Sequence, residues 1–449
     1  MRGILAIICL LLGVLIVGPG QGLAIKTESV GFNDLGNNSN RTSSIELGIY
    51  EICGSDSRCD PEEGVMDVKK MGADSVIVTA IENDVEKHKT LAYYDSRFVS
   101  LAGDSPQNYF NRTIAAAHAN GMKVYALVNL PQEQWLADHP DWISVYMNGK
   151  PSDTYLDTYF YRIAPPSRVL VEPECLEEME GIFDELASLG VDGIDINDNF
   201  EFPCWYITKN DTTLLSSYDD FTLARFERDT GRKVLGNTTV EKAKYISDHD
   251  EINYDWIVWR GKQVSNLLAE FQNMVTKAGK LEFRPHLLIG DWVYVSNGLD
   301  YYKIAENVET LYVMIANEVP IKDVPGFLKT CRETEPKKMS ASVYLYDIGP
   351  KDGGKLEQKI DMVVAGGATT VNIFSYDDIQ SKNLSSMITE VFSRVHAKYS
   401  KGRPTIGSFF YRFSGTKYGR QGKFLKIWQH RRFRSIPGDS CFTLGGVFQ

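Results

Sequence analysis

The sequence predicts an α/β protein, a (β/α)8 TIM barrel, and three observations support this prediction. Short apolar stretches with the period of strands alternate with stretches of helical period from residue 44 to about residue 400. Eight such strand–helix pairs occur, which is the number that closes a parallel barrel. An open doubly wound sheet is the alternative, but the chain has neither a G-x-G-x-x-G after the first strand nor a P-loop, so nucleotide binding has no support.

The strand candidates are short and apolar, and the helix candidates carry apolar residues three and four positions apart. The predicted strands are 46–52, 75–81, 123–130, 193–197, 286–290, 310–315, 340–346 and 370–375. The predicted helices are 61–71, 106–120, 173–189, 254–278, 301–308, 321–330, 355–365 and 384–399. Longer insertions follow the third strand (131–172) and the fourth (198–253), so both should lie on the carboxyl-terminal rim, where long loops usually carry function.

The first 24 residues have the form of a secretory signal peptide. Arg2 precedes an apolar run from Ile4 to Val17, and small residues up to Ala24 indicate cleavage there. An uncleaved anchor is the alternative, although the run is short for a spanning helix and no later stretch could span a membrane. We therefore expect a secreted or extracellular protein, with a flexible leader at 25–43 and a barrel at 44–400.

Cysteine usage is compatible with export. Six cysteines follow the signal, and Cys53 with Cys59 is the pair close enough in sequence to propose as a disulfide. None has the paired C-x-x-C spacing of a zinc site. N-x-S/T sequons, which matter only in a host that glycosylates, begin at Asn37, Asn40, Asn111, Asn210, Asn237 and Asn383.

The last segment, 401–449, is basic and has no clear period. It holds ten Lys and Arg against one acid, whereas the whole chain has a net charge of −11. We interpret it as a poorly ordered, appended tail. The alternative is a basic patch that contacts an anionic surface or polymer.

Acidic residues stand near the predicted carboxyl end of nearly every strand. They are Glu51, Glu82, Asp195, Asp198, Glu201, Asp291, Glu318, Asp347, Asp377 and Asp378. One such acid alone is commonly a rim or cap residue, but like charges that converge on one cleft repel each other and indicate a use or a ligand. Glycosidic cleavage commonly needs two carboxyls on opposite sides of the bond, one protonated and one ionised.

The stretch 191–203 is the centre of this pattern. Ile194 and Ile196 flank Asp195 in alternation, so the isoleucines should pack outward against helices while Asp195 points into the barrel. A desolvated carboxyl near other acids has a raised pKa. We therefore expect the pKa of Asp195 to be raised, with a proton shared with Asp198 or with a neighbour across the barrel.

Aromatic and amide side chains in the predicted strand-to-helix loops indicate a sugar cleft, because pyranose rings stack on aromatic faces while their hydroxyls need polar partners. The predicted substrate-binding residues are Asn129, Trp135, Asn197, Asn199, Trp205, Trp292, Tyr346 and Tyr376, and Trp142, Tyr294 and Asn317 fall in the same loops. We expect the loop tryptophans to be exposed, with core packing as the alternative for any one of them.

Other chemistries have less support. Residues 195–199 match the first three ligands of an EF-hand in the pattern Asp-x-Asn-x-Asn. The match then fails, because Phe200 and Tyr206 replace the glycine and the glutamate that the loop requires. A serine triad lacks its G-x-S-x-G elbow, and the histidines show no ligand spacing. The sequence therefore predicts no metal and no cofactor.

Two known families resemble parts of the chain. The segment Asp192-Gly-Ile-Asp195-Ile-Asn197 resembles the D-G-I-D-x-D core of family 18 chitinases, with Asn199 where that family carries its acidic Glu. Residues 44–400 resemble the glycoside-hydrolase-like barrels of the "family 10-like" type. The matching features, in order, are A-H-x-N-G-M-K-V-Y-A before and within the third strand, W-x-x-x-H-P-D-W at 135–142, A-P-P at 164–166, D-G-I in the fourth strand and F-x-x-x-T-G at 226–231. That group tends to carry two Asp after the fourth strand; Asn197 replaces the first and Asp198 keeps the second.

Together these observations predict a secreted glycoside-hydrolase-like protein that acts on a polysaccharide or glycan by carboxylate acid/base hydrolysis. The leading carboxyls are Asp195, Asp198 and Glu201, with Glu318 and Asp291 as candidates for the opposing partner. The alternative, favoured by the two asparagines at 197 and 199, is a non-catalytic carbohydrate-binding or cell-surface barrel. No nucleic-acid partner is expected.

Overall fold

The computed structural model describes residues 44–50, 60–103, 108–154, 162–202, 215–289, 293–315, 324–334 and 336–400. The strands are β1 (Glu46–Tyr50), β2 (Ser75–Asp84), β3 (Lys89–Ala92), β4 (Ser100–Leu101), β5 (Lys123–Val128), β6 (Gly193–Ile196), β7 (Glu282–Leu288), β8 (Thr310–Ile315), β9 (Lys338–Tyr344) and β10 (Thr370–Phe374). The helices are α1 (Pro61–Lys70), α2 (Tyr109–Ala119), α3 (Gln132–Asp138), α4 (Pro166–Val169), α5 (Pro173–Leu189), α6 (Asp220–Thr230), α7 (Thr239–Asp248), α8 (Asp250–Ala278), α9 (Val293–Ser296), α10 (Tyr301–Asn307), α11 (Val324–Glu333), α12 (Gly353–Ala365), α13 (Tyr376–Ser381) and α14 (Ser385–Tyr399).

The strands close into a barrel in chain order. The first strand, β1, pairs in parallel with both β2 and β10, and β5 to β10 continue the parallel sheet from β2. This closure confirms the predicted (β/α)8 barrel and excludes the open sheet. The two short strands β3 and β4 extend the sheet from β2, with β3 antiparallel to it.

The fifth barrel strand differs most from its predicted bounds. The apolar pattern predicted 286–290, whereas β7 begins at Glu282 and ends at Leu288. Arg284 interrupts the apolar pattern, so the start of the strand was missed. Its side chain is nevertheless fully buried, because it faces a carboxylate inside the barrel.

Both long insertions follow the strands that the sequence predicted, and both contain helices of their own. The first holds α3 and α4, and the second holds α6 and α7. A sequence signal for α7 was present but overlooked. Thr238 and Glu241 form a capping box, with each side chain bonded to the backbone of the other residue.

Within the part of the chain that the structure describes, buried apolar residues form three separate clusters. The largest lies between the strands and the surrounding helices and includes Ile194 and Ile196, so their predicted outward packing is confirmed. A second fills the barrel interior and includes Tyr125 and Tyr312. A third joins α6, α7 and the start of α8 around Trp256. Burying each such side chain stabilises the fold by about 1.5–3 kcal/mol.

Several predictions concern residues outside the described ranges. The signal peptide and leader (1–43), the proposed Cys53–Cys59 disulfide and the basic tail (401–449) all lie there and stay predictions. Cys175 and Cys331, which are described, are buried free thiols. Within the described ranges, no helix combines the length and apolar character that crossing a membrane requires.

Candidate active site

The fourth barrel strand, β6, places Asp195 inside the barrel. Its carboxylate is fully buried and binds the guanidinium of Arg284 on β7, with Nε to Oδ1 at 2.5 Å and Nη2 to Oδ2 at 2.8 Å. The Nε2 atom of His286, two residues further along β7, lies 3.0 Å from the same Oδ2. The guanidinium carbon of Arg284 also lies 3.3 Å from the centre of the Tyr125 ring. Three inward-facing side chains of two neighbouring strands therefore fix one another.

The prediction that the pKa of Asp195 is raised is wrong. Burial alone would raise this pKa, but the charge of Arg284 and the hydrogen bonds from His286 and Arg284 outweigh burial and hold the pKa below its usual value. Asp195 is therefore ionised and has no proton to share with Asp198. Burial lowers the pKa of His286 despite the opposing carboxylate, so the imidazole is neutral at neutral pH.

A short helical turn at Asp198–Phe200 ends the fourth strand and brings Asp198 close to Glu201. The two residues are 5% and 2% exposed. Burial raises the pKa of Asp198 to about 7. Burial, and then the charge of Asp198, raise the pKa of Glu201 well above its usual value. Two desolvated carboxyls that repel each other therefore retain at least one proton near neutral pH.

Glu201 is held in place by the segment that follows α9. The Nδ2 atom of Asn297 donates to Oε2 of Glu201 at 2.8 Å. This bond and one from the backbone N–H of Leu288 lower the pKa of Glu201, but burial outweighs them. The second oxygen, Oε1, has no hydrogen-bond partner among the described residues.

Two of the predicted amides join the ends of the third and fourth barrel strands. Asn197 donates its Nδ2 to Oδ1 of Asn129 at 2.9 Å, and Asn129 donates to the carbonyl of Ile81 at 3.2 Å. Asn199, by contrast, is buried, and its amide binds both the N–H and the carbonyl of Leu130, at 3.0 and 3.1 Å. Asn197 is half-buried and is the most accessible of the three.

The expected exposure of the tryptophans is wrong for Trp135 and Trp142. Trp135 is 4% exposed, and its Nε1 donates to Oε2 of Glu178 at 2.6 Å. Trp142 is also buried and stacks on His139 with ring centres 3.9 Å apart. Tyr376 lies in the large apolar core. The insertion that carries Trp135 and Trp142 folds back onto the barrel, so these aromatic rings fill the core rather than an open cleft.

Among the described residues, aromatic rings at the mouth of the barrel lie on or just after β9 and β10, the seventh and eighth barrel strands. Tyr346 is 47% exposed, and its ring centre lies 5.6 Å from that of Tyr344. Tyr344 stacks on Phe374 at 4.5 Å, and Phe374 lies 4.7 Å from Tyr50. Tyr346 was predicted, whereas Tyr344 and Phe374 were assigned to strands and not considered. Their positions at the carboxyl ends of strands could have identified them.

The other predicted rim acids take different roles. Asp347 pairs with Lys355 at 2.8 Å and Lys359 at 2.5 Å, and hydrogen bonds from these lysines outweigh burial and lower its pKa. Glu82 accepts a hydrogen bond from Tyr93 at 2.5 Å, and burial raises its pKa. Asp377 and Asp378 lie in the first turn of α13, and Asp378 pairs with Lys382 at 2.9 Å. Six other candidates lie outside the described ranges and stay predictions: Glu51, Trp205, Asp291, Trp292, Asn317 and Glu318.

Sequence reasoning missed four polar residues in and around the site, namely Arg284, His286, Asn297 and Arg260. Arg284 could have been found, because it and His286 have the inward parity of one strand. Asn297 and Arg260 carry no local signal, since their relation to Glu201 arises only when α8 and the segment after α9 come together. No group of three or more His, Cys, Asp or Glu side chains suited to a metal occurs within the described ranges.

Two solved structures share the fold of this chain. Alpha-L-fucosidase isoenzyme 2 from Paenibacillus thiaminolyticus has a TM-score of 0.52 at 12% identity, over 80% of this chain and 50% of its own. Beta-galactosidase from Bacillus circulans sp. alkalophilus has a TM-score of 0.54 at 12% identity, over 79% of this chain and 57% of its own. The chain thus spans about half the length of each protein. No family model and no curated protein matches the sequence. At this identity the likeness concerns the fold alone, a (β/α)8 barrel.

Proposed function

We propose that this protein is a glycoside hydrolase that cleaves a polysaccharide or glycan, with Glu201 as the general acid. The observation that carries the proposal is the buried carboxyl pair of Asp198 and Glu201 at the carboxyl end of the fourth strand. A general acid must hold a proton near its working pH, and burial next to a second carboxyl is a physical means of achieving this. Active sites of (β/α)8 barrels lie at this end of the strands.

In the proposed reaction, Glu201 transfers its proton to the glycosidic oxygen as the bond from that oxygen to the sugar carbon breaks. Asp198 keeps Glu201 protonated beforehand through its negative charge. A second carboxylate on the opposite side of the bond either attacks the sugar carbon or activates water. We assign this second role to Asp291 or Glu318, which follow the fifth and sixth barrel strands in the sequence. Asp195, which is paired with Arg284, has a supporting role and does not itself react.

The half-buried rings at the barrel mouth support a sugar as the ligand. Tyr344, Tyr346 and Phe374 offer aromatic faces, and Asn197 offers an amide for a hydroxyl group. The resemblance of the fourth-strand motif to family 18 chitinases and of the chain to the family 10-like barrels agrees with this class of substrate. We further propose that the signal peptide directs the protein outside the cell, where polysaccharides are accessible, and that the basic tail contacts an anionic surface there.

The test is to incubate the purified protein with a panel of polysaccharides and to measure the release of reducing sugar. Glu201→Gln should reduce turnover by at least about 100-fold, and Asp198→Asn should reduce it less severely. Asp347→Asn is the matched control, because Asp347 is a rim acid that is paired with two lysines, and it should leave turnover unchanged.

A wild-type protein that binds glycans on an array but releases no sugar from any substrate would overturn the hydrolase proposal. That result would identify the chain as a non-catalytic carbohydrate-binding barrel. Equal turnover in the wild type and Glu201→Gln would instead overturn the assignment of the acid.

A further inference from the structure

Asn297 contacts the Glu201 region at two points. Its side-chain Nδ2 donates to Oε2 of Glu201, and its backbone carbonyl accepts from the N–H of Phe202 at 3.2 Å. The hydroxyl of Ser296 donates to Oδ1 of Asn297. In this orientation of the amide, Oδ1 accepts from the hydroxyl of Ser296 while Nδ2 donates to the carboxyl of Glu201.

Arg260 on α8 holds the segment that carries Asn297. Its side chain is buried, and its Nη1 and Nη2 donate to the carbonyls of Val295 at 2.7 Å and Ser296 at 2.6 Å. Its guanidinium carbon also lies 4.4 Å from the centre of the Phe202 ring. One cation therefore bridges the end of α9 and the residue that follows Glu201.

The next residue along the chain restricts the segment further. Gly298 has a φ of +77°, which favours glycine. A Cβ atom at this position would lie 3.0 Å from the Phe202 ring and 3.1 Å from Val264. The backbone of residues 296–298 thus packs tightly between α8 and Phe202, the residue after Glu201, so Asn297 has little freedom to move.

We propose that Asn297 is the positioning residue of the acid, holding Oε2 of Glu201 so that Oε1 carries the proton for transfer. An oxygen that accepts an N–H bond acts as the carbonyl oxygen of a protonated carboxyl, so the proton belongs on the other oxygen. Oε1 is that oxygen, and it has no partner within the described ranges. The inference rests on the proposed function, since it concerns the same acid.

The test combines kinetics with a direct titration of Glu201. Asp198 is the charged group that acts on Glu201 among the described residues, and the Asn297 bond lowers the pKa of Glu201. Asn297→Ala should therefore raise that pKa, move the alkaline limb of the kcat/KM profile to higher pH and lower kcat about 10- to 100-fold with little change in KM. Infrared difference spectra of the carboxyl band report the same titration without any substrate.

Two further variants make the result specific. Asn297→Asp keeps the shape and can donate only while protonated, so it should restore turnover at acidic pH and lose it as the new carboxyl ionises. Asn83→Asp is the control. Asn83 is also a buried amide, but its Nδ2 donates to the backbone carbonyl of Leu130 and not to a carboxyl group. It should leave both the pH profile and the Glu201 band unchanged.

Failure of this inference is distinguishable from failure of the proposed function. An unchanged Glu201 titration and pH profile in Asn297→Ala would overturn the positioning role while the hydrolase proposal stands. If no glycan is hydrolysed, the infrared titration still decides whether Asn297 controls the ionisation of Glu201.

Discussion

Arg284 and Asp195, on neighbouring strands of the barrel, form a two-point ion pair in which neither side chain has any exposed surface. Breaking such a pair leaves an uncompensated buried charge. Asp195→Asn should therefore lower the free energy of unfolding by about 3–5 kcal/mol, as measured by chemical denaturation. Replacing both residues with neutral ones of similar size should be less harmful than the sum of the two single changes.

The matched control for this prediction is a surface pair. Arg394 and Glu357 lie 2.7 Å apart and are partly exposed, so Glu357→Gln should cost less than about 1 kcal/mol. If Asp195→Asn loses glycan turnover but unfolds like the wild type, Asp195 acts in the reaction and not as the anchor of the barrel.

His286 should make the protein less stable at acidic pH. Its pKa is lowered in the folded protein, mainly by burial, so below its ordinary value of 6.5 the unfolded chain binds a proton that the folded chain does not. The stability that it contributes is present above that value and is lost as the pH falls through the folded pKa. Below about pH 6.5, the free energy of unfolding should therefore decrease less steeply with falling pH in His286→Gln than in the wild type. Parallel curves for variant and wild type would contradict this.

The carboxyl pair should act in the opposite direction. The folded pKa values of Asp198 and Glu201 are raised, so their protonated forms favour the folded state at low pH. This stability is lost as the pH rises through these raised folded pKa values, of which that of Asp198 is about 7. At an alkaline pH above the raised pKa of Glu201, Glu201→Gln should be more stable than the wild type, because it removes a buried charge. Thermal melts at that pH and at about pH 4, where the difference should shrink, check the prediction.

The pair should also set the alkaline limit of activity. The wild-type kcat/KM should fall as the pH rises through the raised pKa of Glu201 and its proton is lost. Asp198→Asn removes the charge that raises the pKa of Glu201, so its alkaline limb should lie at lower pH than that of the wild type. A limb that moves to higher pH, or does not move, would show that Asp198 does not act on the acid.

Close packing at the start of the fourth strand gives a prediction that is independent of function. A Cβ atom at Gly193 would lie 2.6 Å from the backbone carbonyl of Glu282 and 2.7 Å from the ring of Tyr125. Gly193→Ala should therefore destabilise the fold by about 1–3 kcal/mol. Gly103→Ala is the control, because nothing lies within 4 Å of the added atom. Equal denaturation midpoints for the two variants would contradict the prediction.

Strand and helix periods were sufficient to predict the barrel. Each predicted strand overlaps an observed one, because parallel strands covered by helices on the outside must be apolar on that face. The outward direction of Ile194 and Ile196 followed from alternation alone. The start of β7 was the exception, because it contains a buried Arg284, and arginine is a residue type that usually lies on the surface. The charge of the neighbouring Asp195 compensates the burial of Arg284, and that pairing depends on the register between two strands distant in the sequence.

For the site, the sequence by itself determined that acids and amides gather where the fourth strand ends. Their roles were decided by the tertiary structure. Asp195 is ionised because Arg284 lies beside it. Asp198 and Glu201 are buried without a neighbouring cation among the described residues, so their pKa values are raised and the pair retains a proton. Trp135 is buried because α3 packs on the barrel. A pKa and an exposure depend on which groups surround a side chain in space, and a local pattern of residues specifies only which groups are available.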